Sequence, residues 1–222
     1  MIIAHRGYAK EYPENTFSAF DAALAAGAGG IETDVRLAED GSLVVSHDPV
    51  TSAKGLITLD ELFAYITEKK DIPFFLEIKD ASQKLFASVA RHIKDIGAWE
   101  RVHLIGFADN LTAAVAGQND FPKLCVDQIL QLPLWSYIKK TKKSHAVYIG
   151  WLDDIAYSEF AFKAMVSVAR LKKLKARFEQ QGFKVYGGVL NREDGITYFQ
   201  QAGINDIFTD ETELAVRLSK SL

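Results

Sequence analysis

Met1-Ile2-Ile3-Ala4-His5-Arg6-Gly7 opens the chain, and Gly30-Ile31-Glu32-Thr33-Asp34-Val35 follows after a segment in which Phe17, Phe20, Ala23 and Leu24 recur at helical spacing up to Gly27. Both apolar runs are β-prone and the segment between them has the period of an amphipathic helix, so the stretch reads as strand, helix, parallel strand. Two parallel strands joined by one helix usually lie side by side and end at the same edge of their sheet. His5 and Arg6 therefore meet Glu32 and Asp34 at that edge. Side chains alternate along a strand, so Glu32 and Asp34 point the same way.

The segment from Val35 to His47 is too short for a helical crossover and carries Asp40-Gly41 between alternating apolar positions, the pattern of a β-hairpin. With Asp40-Gly41 as a two-residue loop, Leu37 faces Val44, Val35 faces Ser46 and Asp34 faces His47. Opposed residues in such a ladder have Cβ atoms about 4.5–5.5 Å apart. On this register His47 returns to the carboxylate pair.

Beyond the hairpin, apolar strand-like runs alternate with helix-like segments. Thr58-Leu59-Asp60-Glu61 is a capping box that opens a helix to about Lys69. Strands are expected at Phe74 to Ile78, Val102 to Ile105, Lys123 to Val126, Ala146 to Ile149, Lys184 to Tyr186 and Asp206 to Phe208, and helices at Gln83 to Ile96, Asp194 to Ala202 and Glu211 to Leu218. One long amphipathic helix is expected over Ile155 to Gln181. Leaving the hairpin's return strand aside gives eight strands, which favours an α/β architecture of the closed (β/α)8 type over an open doubly wound sheet. Neither a dinucleotide fingerprint nor a phosphate loop is present. At 222 residues a single domain spanning 1–222 is expected.

A net charge of -3 exerts no global pull toward nucleic acid or an anionic surface. The basic runs Lys139 to Lys143 and Arg170 to Arg177 read as solvated helix faces or helix ends. Cys125, the single cysteine, excludes an intrachain disulfide and reads as a small core residue. With no secretory signal pattern and no apolar run long enough to span a bilayer, the cytoplasm and no stable membrane insertion are expected.

Glu77 closes the next strand and so joins Glu32 and Asp34 at one mouth. Three carboxylates suit a hard, oxygen-seeking divalent cation, Mg2+ or Ca2+, rather than Zn2+. Lys79 lies on the same strand face as Glu77 and, with Arg6, offers positive charge to a phosphate. His5 and His47 exchange protons near neutral pH and are the acid/base candidates. Phe107, Tyr148 and Trp151 fall near strand ends, where they line the mouth or pack in the core.

The ordered motifs His5-Arg6-Gly7, Pro13-Glu14-Asn15-Thr16, Glu32-x-Asp34-Val35, Asp40-Gly41 with Val44-Val45-x-His47-Asp48, and Leu76-Glu77-Ile78-Lys79 resemble the glycerophosphodiester phosphodiesterase family, with a weaker match over Gly203 to Asp210. The resemblance implies a TIM barrel that hydrolyses glycerophosphodiesters to glycerol 3-phosphate and an alcohol with a divalent cation. Glu32, Asp34 and Glu77 would hold the metal, His5 and His47 would form the acid/base pair, and Arg6 and Lys79 would bind phosphate. The ligand expected is a small glycerophosphodiester, not nucleic acid; the sequence leaves the oligomeric state open. Three departures stand out: a reduced insertion between Asp48 and Glu77, paired Gly187-Gly188 where the family has a tryptophan motif, and Ile105-Gly106-Phe107 in place of a serine pair. The paired glycines leave the mouth more open or let backbone approach a ligand. A sphingomyelinase D-like lipid-cleaving barrel, a non-catalytic phosphate-binding barrel and a metal-dependent sugar isomerase are the alternatives.

Overall fold

The structure is a computed structural model and describes residues 1–130, 144–151 and 157–220. Strand β1 (Ile2–Ala4), helix α1 (Phe17–Ala25) and strand β2 (Gly30–Leu37) form the expected opening unit, with β1 and β2 parallel neighbours and Ala4 opposite Ile31. The chain continues through β3 (Leu43–Val45), α2 (Leu59–Glu68), β4 (Phe74–Ile78), α3 (Gln83–Asp95), β5 (Val102–Gly106), α4 (Thr112–Gly117), β6 (Cys125–Leu130), β7 (Ala146–Ile149), α5 (Ser158–Met165), α6 (Val168–Gln180), β8 (Lys184–Val189), α7 (Glu193–Gln201), β9 (Ile207–Thr209) and α8 (Thr212–Ser219). The sheet runs β1-β9-β8-β7-β6-β5-β4-β2, and the β1–β2 pairing closes it into an eight-stranded parallel barrel. The antiparallel β3 lies outside the barrel, on β2.

Local chemistry sets the helix starts. The Thr16 hydroxyl accepts from the Ala19 backbone N–H, and Thr58 with Glu61 makes both halves of a capping box. Between Asp48 and Glu77 the helical content is α2 alone, in keeping with the reduced insertion.

Aromatic residues fill the barrel interior: Phe75, Tyr148, Tyr186 and Phe208 pack with Ile3 and Ile105. Tyr148 and Tyr186 stack with centroids 5.0 Å apart, and Phe75 meets Phe208 edge-on at 5.1 Å. Outside the barrel, Phe20, Leu62 and Phe86 belong to one helix-facing cluster, and Phe162, Leu171 and Phe199 to a second.

The hairpin departs from expectation by one residue. Val35 pairs with Val45 and Leu37 with Leu43, so the loop has three residues, Glu39, Asp40 and Gly41. A two-residue loop of the Asn-Gly type needs positive φ at both central positions, and here Gly41 alone adopts it, at 86°. The result is a turn in which Gly41 N–H donates to Ala38 O and Ala38 N–H to Ser42 O.

The helix expected over Ile155 to Gln181 is two helices; residues 155 and 156 lie outside the described ones. Val166 leaves helical geometry, and the Ser167 hydroxyl accepts from Arg170 N–H as a fresh N-cap. A capping serine inside an unbroken amphipathic period is easily read through, because the period itself does not register the break. Strand β6 runs to Leu130, past the expected Val126, because its polar Asp127 is wholly buried and hydrogen-bonded. The basic run of α6 is a solvated face, with Lys175 paired to Glu179. The run Lys139 to Lys143 lies outside the described residues.

Candidate active site

On β2 and β4, Glu32, Asp34 and Glu77 each present a carboxylate oxygen within 4.8 Å of the other two. Register brings them there: Asp34 lies opposite Glu77 across the β2–β4 pair. All three are buried. Glu32 Oε1 and Asp34 Oδ1 are buried without a hydrogen bond.

Two cations stand against the trio. Lys79 Nζ lies 2.8 Å from Glu77 Oε1 and 3.1 Å from Asp34 Oδ1, and Arg6 Nε lies 3.1 Å from Asp34 Oδ2. Arg6 also donates through Nη1 to Glu14 at 3.0 Å and through its backbone N–H to Glu32 at 3.0 Å. It does so from a left-handed backbone, φ 56°. The next residue, Gly7, is forced by space: a Cβ there would stand 2.7 Å from the Ala19 backbone.

His5 is held by a residue that closes β9. Its Nδ1 is 2.8 Å from Asp210 Oδ1 and its Nε2 is 3.8 Å from Glu32 Oε2. Asn191 donates to the other Asp210 oxygen at 2.5 Å and accepts from the Asp210 backbone N–H. Burial opposes charge on His5, but Glu32 and then Asp210 outweigh it and raise the imidazole to about 9. Burial, reinforced by Asp34, pushes Glu32 up to about 8. Burial disfavours ionised Asp34 too, yet Lys79, Arg6 and the Asn15 amide hold its carboxyl below the usual range.

His47 lines the same cavity as His5, which encloses about 800 Å3. It reaches the mouth by a route other than the expected ladder. In the observed register His47 would fall opposite Thr33, on the other face from Asp34, but β3 ends at Val45 and the chain bends. Arg36 Nη2 donates to His47 O at 2.7 Å, and His47 Nδ1 is 2.9 Å from Asp48 Oδ1.

Six of the seven expected residues thus line one cavity with Phe107, Tyr148 and Trp151, and the seventh, Asp34, lies buried against Glu32 and Glu77. Asp210, Asn191 and Asn15 were not expected as site residues. Asp210 ends a strand in the manner of Asp34 and Glu77, so the strand-end rule could have found it. Asn15, at φ 58°, donates to Asp34 Oδ2 at 2.8 Å while its carbonyl accepts from Thr33 and from the Asp34 backbone. The paired glycines serve backbone packing: a Cβ on Gly188 would stand 3.1 Å from Gly150 Cα, so β7 and β8 converge there.

Residues 5–62 match the glycerophosphoryl diester phosphodiesterase family. A provisionally named glycerophosphodiester phosphodiesterase of Bacillus subtilis, YhdW, is 46% identical over 241 aligned positions, covering 99% of this chain and 98% of that protein. The chain belongs to the glycerophosphodiester phosphodiesterase family. Another relative, a glycerophosphodiester phosphodiesterase of Bacillus altitudinis, is 52% identical over 68 residues, and the match spans 28% of each protein. Among solved structures, the glycerophosphodiester phosphodiesterase of Thermotoga maritima superposes with a TM-score of 0.71 at 23% identity, over 98% of this chain and 97% of that one. A phosphodiesterase of Oleispira antarctica, solved with its product sn-glycerol-3-phosphate, superposes with a TM-score of 0.75 at 18% identity, over 100% of this chain and 97% of that one. These likenesses establish the barrel fold of the family for this chain.

Proposed function

We propose that this chain, acting as one domain, hydrolyses small glycerophosphodiesters to glycerol 3-phosphate and an alcohol, using Mg2+ or Ca2+. One observation carries the reading: two imidazoles and the buried carboxylates of Glu32 and Glu77 open on one cavity beside two cationic side chains, with Asp34 clustered behind them and Glu32 Oε1 lacking a hydrogen bond. The product bound to the Oleispira relative and the family membership support the substrate class.

An all-carboxylate donor set fits a hard cation, and the orphaned Glu32 Oε1 is a group such an ion would satisfy. The ion would act as a Lewis acid on the phosphate. Glu32, Asp34 and Glu77 hold it. Arg6 and Lys79, which ion-pair with Asp34, would offer their charge to the phosphate oxygens. His5 and His47 between them take a proton from the nucleophile and return one to the leaving alkoxide. Asp210 keeps the His5 ring in place, and Asn191 keeps Asp210.

The test is release of glycerol 3-phosphate from glycerophosphocholine and glycerophosphoethanolamine, with Mg2+ or Ca2+ and with chelator. Chelator abolishes release, and His5→Ala and His47→Ala each lower kcat/KM by roughly 10²–10⁴-fold with the fold intact by circular dichroism. Absence of release from either substrate with both cations sinks the proposed activity. Full turnover in His47→Ala removes that residue from the acid/base pair.

A further inference from the structure

At the opposite end of the barrel a second cluster of ligating side chains is assembled from the beginnings of three strands. His103 is the second residue of β5, Cys125 the first and Asp127 the third of β6, and His145 immediately precedes β7. One ligand atom each from His103, Cys125 and Asp127 lies within 4.8 Å of the other two. Cys125 Sγ is the focus: His103 Nδ1 stands 3.1 Å away, His145 Nδ1 3.0 Å and Asp127 Oδ2 3.2 Å. His103 Nδ1 and Asp127 Oδ2 are 3.8 Å apart.

We propose that His103, Cys125 and Asp127 form a second metal site that takes Zn2+ or an ion of the same class, with His145 beside it on the Cys125 sulfur. Donors on one tetrahedral Zn2+ stand roughly 3.3–3.6 Å apart, given bonds of about 2.0–2.3 Å, and the separations here bracket that range. Imidazole, thiol and carboxylate together select a borderline ion, unlike the all-oxygen set at the other mouth.

Hydrogen bonding alone is a poor reason for this convergence. A thiol carries one proton and its sulfur accepts weakly, so it satisfies two imidazoles badly. A thiolate on a cation that also takes His103 leaves the sulfur to accept from His145 alone. Binding releases the Cys125 proton to solvent, and the thiolate and the wholly buried Asp127 carboxylate then balance the two positive charges.

The donors are already oriented. Asp127 Oδ1 accepts from the backbone N–H groups of His145 and Ala146, at 2.7 and 2.9 Å, which leaves Oδ2 turned to the sulfur. The His103 ring stacks on Phe75, with centroids 5.1 Å apart and planes 14° from parallel. Such outer contacts fix ring and carboxylate positions around an ion. His103 is partly open to solvent and His145 is exposed, which gives an entry path.

The full chain, stripped by chelator and titrated with Co2+, tests this. We expect one equivalent of Co2+ to give an intense near-ultraviolet thiolate-to-cobalt charge-transfer band that stoichiometric Zn2+ displaces. The oxygen-only site at the other mouth gives no such band, so Glu77→Gln retains it while Cys125→Ser loses it entirely. Because Cys125 is the single cysteine, the wild-type spectrum decides the matter even where a variant fails to fold. A wild-type chain saturated with Co2+ and showing no thiolate band overturns the site.

Discussion

Glu32 combines complete burial with two acidic neighbours, and its carboxyl therefore holds a proton far above the usual range, to about 8. In the metal-free chain that raised value contributes stability which is fully present below the ordinary 4.5 and lost as pH rises through about 8. His5, raised to about 9, contributes in the same sense: its share is complete below 6.5 and lost as pH rises through about 9. A divalent cation must displace the Glu32 proton, so its affinity climbs with pH over the window from 4.5 to about 8. Thermal denaturation with and without Ca2+ should thus show a stabilisation that grows with pH across that window. A cation effect that is flat with pH would remove Glu32 from the ion's ligands. Glu32→Gln should abolish the pH dependence and weaken binding.

At the scale of elements, two glycines separate backbone cost from packing cost. Gly41 sits at φ 86° in the hairpin loop, where an added Cβ would meet nothing closer than Lys84 Nζ at 3.4 Å. Gly41→Ala should therefore cost only the left-handed conformation, roughly 1–2 kcal/mol. Gly7 shares the positive φ, at 82°, but its Cβ would fall 2.7 Å from Ala19 backbone and side chain alike. Gly7→Ala should cost clearly more and displace Arg6 from Asp34. Urea melts of the two variants check the order. The hairpin also shows why register is harder to read than existence: Asp40-Gly41 marks a turn, but only the φ of Asp40 decides whether two residues or three close it.

For the molecule as a whole, closure of the barrel depends on filling its interior, and here rings do so in place of the branched aliphatic layers common to such barrels. Phe75 is wholly buried and touches His103, Tyr148, Tyr186 and Phe208. Phe75→Ala should lose about 3–5 kcal/mol of unfolding free energy, read from the urea midpoint at unchanged slope. The same ring lies between the two mouths' machinery: it packs under the aromatic floor on one side and steadies His103 on the other. Among the described residues no helix is long and apolar enough to cross a membrane.

Local pattern determined the strand-helix-strand opening, the eight barrel strands and the gathering of the site residues other than His47, because strand alternation and parallel crossovers send strand-end side chains to one edge, whereas His47 arrives by a bend after β3. Tertiary structure decided what depends on contacts distant in sequence. His5 is steadied by Asp210, 205 residues away, and Asp34 by Asn15 from the loop before α1. Cys125, read as a plain core residue, gathers His103, His145 and Asp127 only because β5, β6 and β7 are neighbours in the closed sheet. A one-dimensional period records which face a residue takes, whereas its partners are fixed by sheet order and register, and those exist only once the barrel has closed.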